Sequence, residues 1–315
     1  MASYPNGRTS SPFTESYEFY SSDFARLSIM SDALRDKVDA NYDDILDALE
    51  DLHEIPNILR EGILFTGGAV AILLQAAARG VLEEKSTLTN GAGRPNAISE
   101  QLYHNLYTTV IYLHGLTFGT RSQRKQVLDR THSQDQSNEG AKVHGQYPLD
   151  PKLRLWVTAT LYATATEVYQ RVFEKLDLQR AERVYYEFSL MAVGLNLSKD
   201  SWPQSRKAFW DYWDEHIELL DVDPQALPIV DGLEKLRDLP GWLRVSKPFI
   251  RNITPEMLPP HVREQYGFQS TSTSRFKYKL YMNGAKAIYP ALPSSIRCLP
   301  KKRAMKELED MLQKK

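Results

Sequence analysis

Cysteine is nearly absent from this chain. Cys298 stands alone among 315 residues, so no disulfide can form within the chain and no multi-cysteine zinc site can be built. A basic excess is missing too: 39 Lys and Arg stand against 40 Asp and Glu, which argues against a nucleic-acid binder. The first thirty residues lack a basic start followed by an apolar core, so no secretory signal is visible and cytoplasmic residence is the default expectation. Strand-like alternation is almost missing, and no internal repeat stands out. There is no HExxH pair, no GxSxG elbow, and no Walker or GxGxxG loop, so zinc-protease, serine-hydrolase and nucleotide readings have nothing to rest on. Glu-x-x-His occurs once, at Glu50 and His53, where a ferritin-like di-iron bundle needs two copies.

What is present is helical spacing. The most apolar stretch is Glu61 to Arg79, in which seventeen residues from Gly62 to Ala78 pass without a charge. The stretch predicts a buried central helix, since exposing it would forfeit roughly 25 cal/mol per Å² of apolar surface. Its length also raises a membrane span, but Gly67-Gly68, Thr66, Gln75 and a run of alanines weigh against one. The paired glycines allow a close neighbour, either another helix or a flat ligand.

Around this stretch, residues 1–22 read as a flexible arm, and a helical pattern begins at Asp23 and runs to Leu52. Residues 86–95 and 135–145 read as loops. Helices are expected over Gln101–Phe118, Leu149–Leu176, Ala181–Leu195 and from Trp202 onward. Asp150-Pro151, Asp223-Pro224 and Thr254-Pro255 each pair a capping side chain with a proline suited to a first turn. The fold class is therefore all-α: one large helical domain over 23–300, followed by an amphipathic basic tail over 301–315. That tail suits either packing on the domain or peripheral contact with a membrane surface.

Seven histidines offer ligand chemistry: His53, His104, His114, His132, His144, His216 and His261. A single histidine is more often a satisfied core or surface residue than a ligand, and His53, His216 and His261 sit among charges. His132 follows Val127 and Leu128, a pattern that turns it inward. On the aromatic helix, Asn105, Thr108 and Thr109 fall at i, i+3 and i+4 and share one polar face. That face suits either an ordinary exposed surface or the lining of a wet pocket. One buried imidazole beside a polar face and glycine-bearing walls would meet the needs of a haem iron.

Several blocks also carry a resemblance. EGILFTGGAVAILLQ, LYTTVIYLHGLTFGT, the TH at 131–132, YPLDPKLRLWVTATLY, WPQSRKAFWDYW, LPPHVREQYGF and YPALPSSIRCLP follow in order from about Pro56 to Pro300. Together they are similar to the catalytic domain of the rubber-oxygenase family, which includes bacterial latex-clearing proteins and a fungal ER-bound oxygenase of the mycophenolic-acid pathway. The chain looks most like a fungal member of it, which implies a place in secondary metabolism and association with the ER membrane surface.

The resemblance implies a globin-like, all-α core holding haem b and its iron through one histidine. It also implies a hydrophobic isoprenoid or polyketide-derived substrate and molecular oxygen. His132 corresponds to the proximal ligand, with His144 as the alternative, because the segment after FGT is a few residues short. Thr109 corresponds to a threonine on the distal helix. Gly67 and Gly68 would lie against the cofactor, and the Trp156 helix would form another apolar wall. Where the bacterial pattern has arginine and lysine, this chain has Asn105 and Thr108, and Ala78 replaces a common polar residue. The catalytic face implied is Asn105, Thr108 and Thr109, with Asn105 donating a hydrogen bond in place of the arginine. A scaffold that has lost catalysis and binds an apolar ligand or partner is the competing expectation.

Overall fold

The computed structural model describes residues 42–82, 97–132, 150–235 and 246–313. Among them every regular element is helical and no strand occurs, so the all-α expectation holds. The readings for residues 1–22, 86–95 and 135–145, and for His144, lie outside the described residues.

The fold is layered around one helix that is buried on nearly every side: α6, Pro151–Val172. Its start is as the sequence suggests, with the Asp150 carboxylate accepting the Lys152 N–H at 2.7 Å and Pro151 in the first turn. Against it lies the apolar stretch, which is not one continuous helix. It divides into a 3₁₀ segment, Gly62–Gly67, and α3, Gly68–Ala76. Hydrophobicity dictated burial, but the backbone form follows from local bonds and neighbours. The Thr66 hydroxyl donates to the Ile63 carbonyl three residues back at 2.6 Å, in keeping with the tighter turn. Gly62 is also pressed so close to the far end of the chain that a Cβ there would lie 2.5 Å from Pro300 Cγ.

Every residue of α3 from Ala69 to Ala76 is buried, so its last carbonyls need donors inside the protein. They receive them from aromatic side chains. Trp156 Nε1 donates to the Leu74 carbonyl at 3.1 Å and the Tyr266 hydroxyl to that of Leu73 at 2.8 Å.

On the N-terminal side, α1 (Tyr42–Glu50) buries Leu46 and Leu49 and turns Asp43, Asp47 and Glu50 toward Arg121. The short α2 (Ile55–Leu59) starts on a carboxylate from elsewhere. Glu187 of α7 (Leu178–Gly194) accepts the N–H groups of His53, Glu54 and Ile55 at 2.8–2.9 Å. Two antiparallel partners, α4 (Ala97–Phe118) and α5 (Arg121–His132), form a helical hairpin joined by Gly119-Thr120.

Ser205 caps α8 (Arg206–Leu219), whose Trp213 stacks on Trp156 at 5.2 Å. Asp223 caps the 3₁₀ turn Pro224–Ala226, which leads into α9 (Leu227–Lys235). The third proline signal behaves differently. Pro255 lies inside α10 (Lys247–Met257), and Thr254 is buried with its hydroxyl lacking a partner instead of capping a new helix. Pro255 has no N–H to bond the carbonyl four residues back, so it interrupts the ladder, and the helix ends two residues later.

The chain continues through α11 (Pro260–Gln265), α12 (Ser272–Ile288), α13 (Ser294–Arg297) and α14 (Leu299–Gln313). The basic tail is thus α14, and it packs on α4 with Ala304 and Leu308 buried. A Cβ at Gly115 of α4 would meet Leu308 at 2.8 Å and Val127 of α5 at 3.1 Å, so three helices converge on that hydrogen. No helix among the described residues is long and apolar enough to cross a membrane.

Candidate functional site

Helix α4 presents two different surfaces. Leu106, Val110, Leu113 and His114 follow one another at helical spacing and face α3 and α6. There they enclose a cavity of about 110 Å³ whose other walls include Phe65, Gly68, Ile72 and Leu161. Its lining is mostly carbon, and the polar atoms at its edge are largely occupied. The Thr164 hydroxyl donates to the Thr160 carbonyl at 2.7 Å, and the Tyr107 phenol is hydrogen-bonded to Glu307 of α14.

His114 is different. It is 2 % exposed, and its Nδ1 lies 2.7 Å from the Val110 carbonyl one turn back. A carbonyl can only accept, so Nδ1 carries the proton and Nε2 presents its lone pair. That nitrogen has no hydrogen-bond partner; the nearby Leu59 carbonyl favours a charged ring without closing a bond on it. Burial is the main reason its pKa falls to about 4, and Lys301 of α14 lowers it further, so the ring is neutral at pH 7. The rings of Phe65 and Phe118 flank it at 5.7 and 5.8 Å.

Asn105, Thr108 and Thr109 share a face of α4, as their spacing predicts, and all three are buried. At 3.6 residues per turn, this face is about 150° around the helix from the cavity stripe. The polar trio and the apolar cavity are therefore not brought together. The sequence alone suggested one pocket with both kinds of wall. Asn105 Oδ1 accepts from Gln101 Nε2 at 2.9 Å, so its amide is held by the preceding turn.

His132 is the last residue of α5 and is half-buried. Its Nδ1 is 2.9 Å from the Leu128 carbonyl. Neighbouring Thr131 reaches the Gly194 carbonyl at 2.9 Å, which ties the end of α5 to the end of α7. His132 lies about 16 Å along α5 from the Gly119-Thr120 turn. His132 does not line the apolar cavity. The two glycines also part company. Gly67 packs on α6, where a Cβ would lie 3.1 Å from Val168, whereas Gly68 lines the cavity opposite Leu106. The Trp156 helix, α6, does form a cavity wall, through Leu161.

Sequence reasoning passed over His114. The signal was available, since it continues the stripe of Leu106 and Val110 at intervals of four. His216, by contrast, is half-buried, stacked on Trp156 with Nδ1 3.0 Å from the Tyr212 carbonyl. Among the described residues no group of three or more His, Cys, Asp or Glu side chains converges as a metal-ligand set. A haem needs only one imidazole, so that requirement is a separate one.

Residues 56–287 match the family model described as the catalytic domain of the ER-bound oxygenase mpaB/B' and rubber oxygenase family. Uncharacterized proteins from Mycobacterium bovis and Mycobacterium tuberculosis are each 30% identical to the chain over 179 residues, which is 55% of this chain and 70% of theirs. No solved structure matches it.

Proposed function

Because the chain belongs to the family of ER-bound mpaB/B' and rubber oxygenase catalytic domains, we propose that it is an oxygenase-type oxidoreductase. It holds haem b and acts on a hydrophobic, isoprenoid or polyketide-derived small molecule in secondary metabolism. The observation that supports this reading is the burial of Asn105, Thr108 and Thr109 on one face of α4, with His132 half-buried at the end of the adjoining α5.

The residues present suit a haem. His132 would hold it. With its Nδ1 proton donated to the Leu128 carbonyl at 2.9 Å, the ring tautomer is fixed and Nε2 is the ligating atom. Bound haem supplies the activation of molecular oxygen. The Asn105 amide, oriented by Gln101, would offer N–H groups as donors, and Thr108 and Thr109 would add hydroxyls. An uncharged amide is a weaker donor than the guanidinium found at this position in bacterial relatives.

The test is spectroscopic. Protein produced with added haem precursor should show a Soret band and one iron per chain, and His132→Ala should lose both. Colourless, iron-free protein would overturn the haem reading. A His132→Ala variant that kept full occupancy and an unchanged spectrum would overturn the ligand assignment. Haem-loaded protein that takes up no oxygen with any hydrophobic candidate would instead favour a binding scaffold.

A further inference from the structure

We propose that the cavity between α3, α4 and α6 is a binding site for an aliphatic alcohol, which donates its hydroxyl proton to His114 Nε2 and lays its chain along the carbon walls. This does not rest on the haem reading, because the cavity opens on the face of α4 turned away from Asn105, Thr108 and Thr109.

Four observations select this ligand chemistry. First, Nε2 is an acceptor only: the one ring proton sits on Nδ1 and is used on the Val110 carbonyl at 2.7 Å. Ethers, ketones and carboxylates bring no proton to it, and an alcohol does. Second, Nε2 is unpartnered on a residue that is 98 % buried and lines the space (its exposure is 2 %). A buried acceptor left without a donor is costly, so a ligand that supplies one gains more than area alone would give. Third, most of the remaining wall is carbon, from residues such as Phe65, Ile72, Leu106 and Leu161, with Tyr103, Tyr107 and Thr164 adding the other hydroxyls, which suits a hydrocarbon chain.

Fourth, size sets an upper limit. At about 110 Å³ the space is smaller than the ~150 Å³ engineered cavity known to admit benzene. It therefore holds about four or five carbons and excludes a porphyrin, so the lone pair of Nε2 is not serving a haem there. The cavity borders a second space. Ala69, Leu233 and Ile250 wall both this cavity and a wider, more polar cleft edged by Lys247, Arg251 and Lys277.

The experiment compares 1-pentanol with butyl methyl ether, which matches it in heavy-atom count and lacks the hydroxyl proton. Binding to the full-length protein is followed by calorimetry, and the imidazole ¹⁵N resonances by NMR. The alcohol should bind about five- to tenfold tighter than the ether, a preference typical of one net hydrogen bond. His114→Leu should reduce that preference to less than twofold while still binding both. In the wild type, one Nε2 resonance should move upfield with the alcohol and stay in place with the ether. Because this reading needs no variant, it decides the matter even if His114→Leu does not fold. Equal affinity for the two ligands, no saturable binding of pentanol, or an unmoved ¹⁵N resonance would overturn the proposal. So would an alcohol preference that survives in His114→Leu.

Discussion

Acid should weaken this protein through one ring. His114 titrates at about 4 in the folded chain, mainly because burial disfavours its charged form, and near 6.5 once unfolded. Between those values the unfolded chain binds a proton that the folded chain does not, so stability falls as pH drops through the window. At pH 7 almost nothing is lost. By pH 5 the unfolded state has gained about 2 kcal/mol from this group, and by pH 4 about 3 kcal/mol. The Val110 and Leu59 carbonyls favour the charged ring but do not outweigh burial, and Lys301 of α14 opposes protonation further.

The perturbation is His114→Phe, which fills the same space without a titratable nitrogen. Urea unfolding of both proteins, followed by tryptophan fluorescence at pH 7 and pH 5, isolates the ring because all other groups cancel in the comparison. Wild type should lose about 2 kcal/mol more than the variant over that interval. Equal losses would refute the reasoning and would mean that His114 gains a proton-stabilising partner or solvent access in the native state.

Two other buried charges make sharp predictions. Glu61 is 2 % exposed and accepts from Arg297 Nη1 at 2.7 Å, with Arg60 at 3.4 Å as a weaker, more exposed neighbour. Arg297→Ala should therefore cost about 3 kcal/mol in urea unfolding, and adding Glu61→Met should recover most of it; a single variant of wild-type stability would contradict this. Glu187→Ala removes the acceptor of three N–H groups at the start of α2 and should cost about 3 kcal/mol, with Glu187→Gln losing less because one oxygen remains. Amide exchange at His53, Glu54 and Ile55 should accelerate most in the alanine variant, and unchanged exchange would argue against the cap.

Local signals were legible wherever a local cause acts. Helical spacing was enough for the all-α class, and the capping geometry at Asp150-Pro151 and Asp223-Pro224 is what those pairs suggest. Thr254-Pro255 carries the same signature, yet it closes a helix, because nothing in the pair itself reports whether the preceding turn is already formed. The uncharged run from Gly62 to Ala78 reads as one helix because hydrophobicity encodes burial and not backbone angles. The 3₁₀ segment reflects the Thr66 hydroxyl and the closeness of Pro300, and the second of these is invisible from sequence.

At the site, the shared face of Asn105, Thr108 and Thr109 followed from spacing, but its burial did not, because the same spacing suits an exposed surface. Their separation from the apolar cavity was also implied by the helix period, once the stripe through Leu106, Val110 and His114 is drawn. What no local pattern contained was the pairing of Glu187 with α2 or of Glu61 with Arg297. These contacts span 132 and 236 residues.

Those long spans bear on what completes the molecule. The stretch that matches the oxygenase family stops at residue 287, yet Arg297 and Leu308 lie beyond it. Arg297 neutralises a carboxylate at the head of the apolar segment, and Leu308 seats against Gly115 in the hairpin. Without those two residues, Glu61 keeps only the more exposed Arg60 beside it and Gly115 faces an open groove. Residues beyond the matched stretch therefore complete its core, as a latch closes over what it holds.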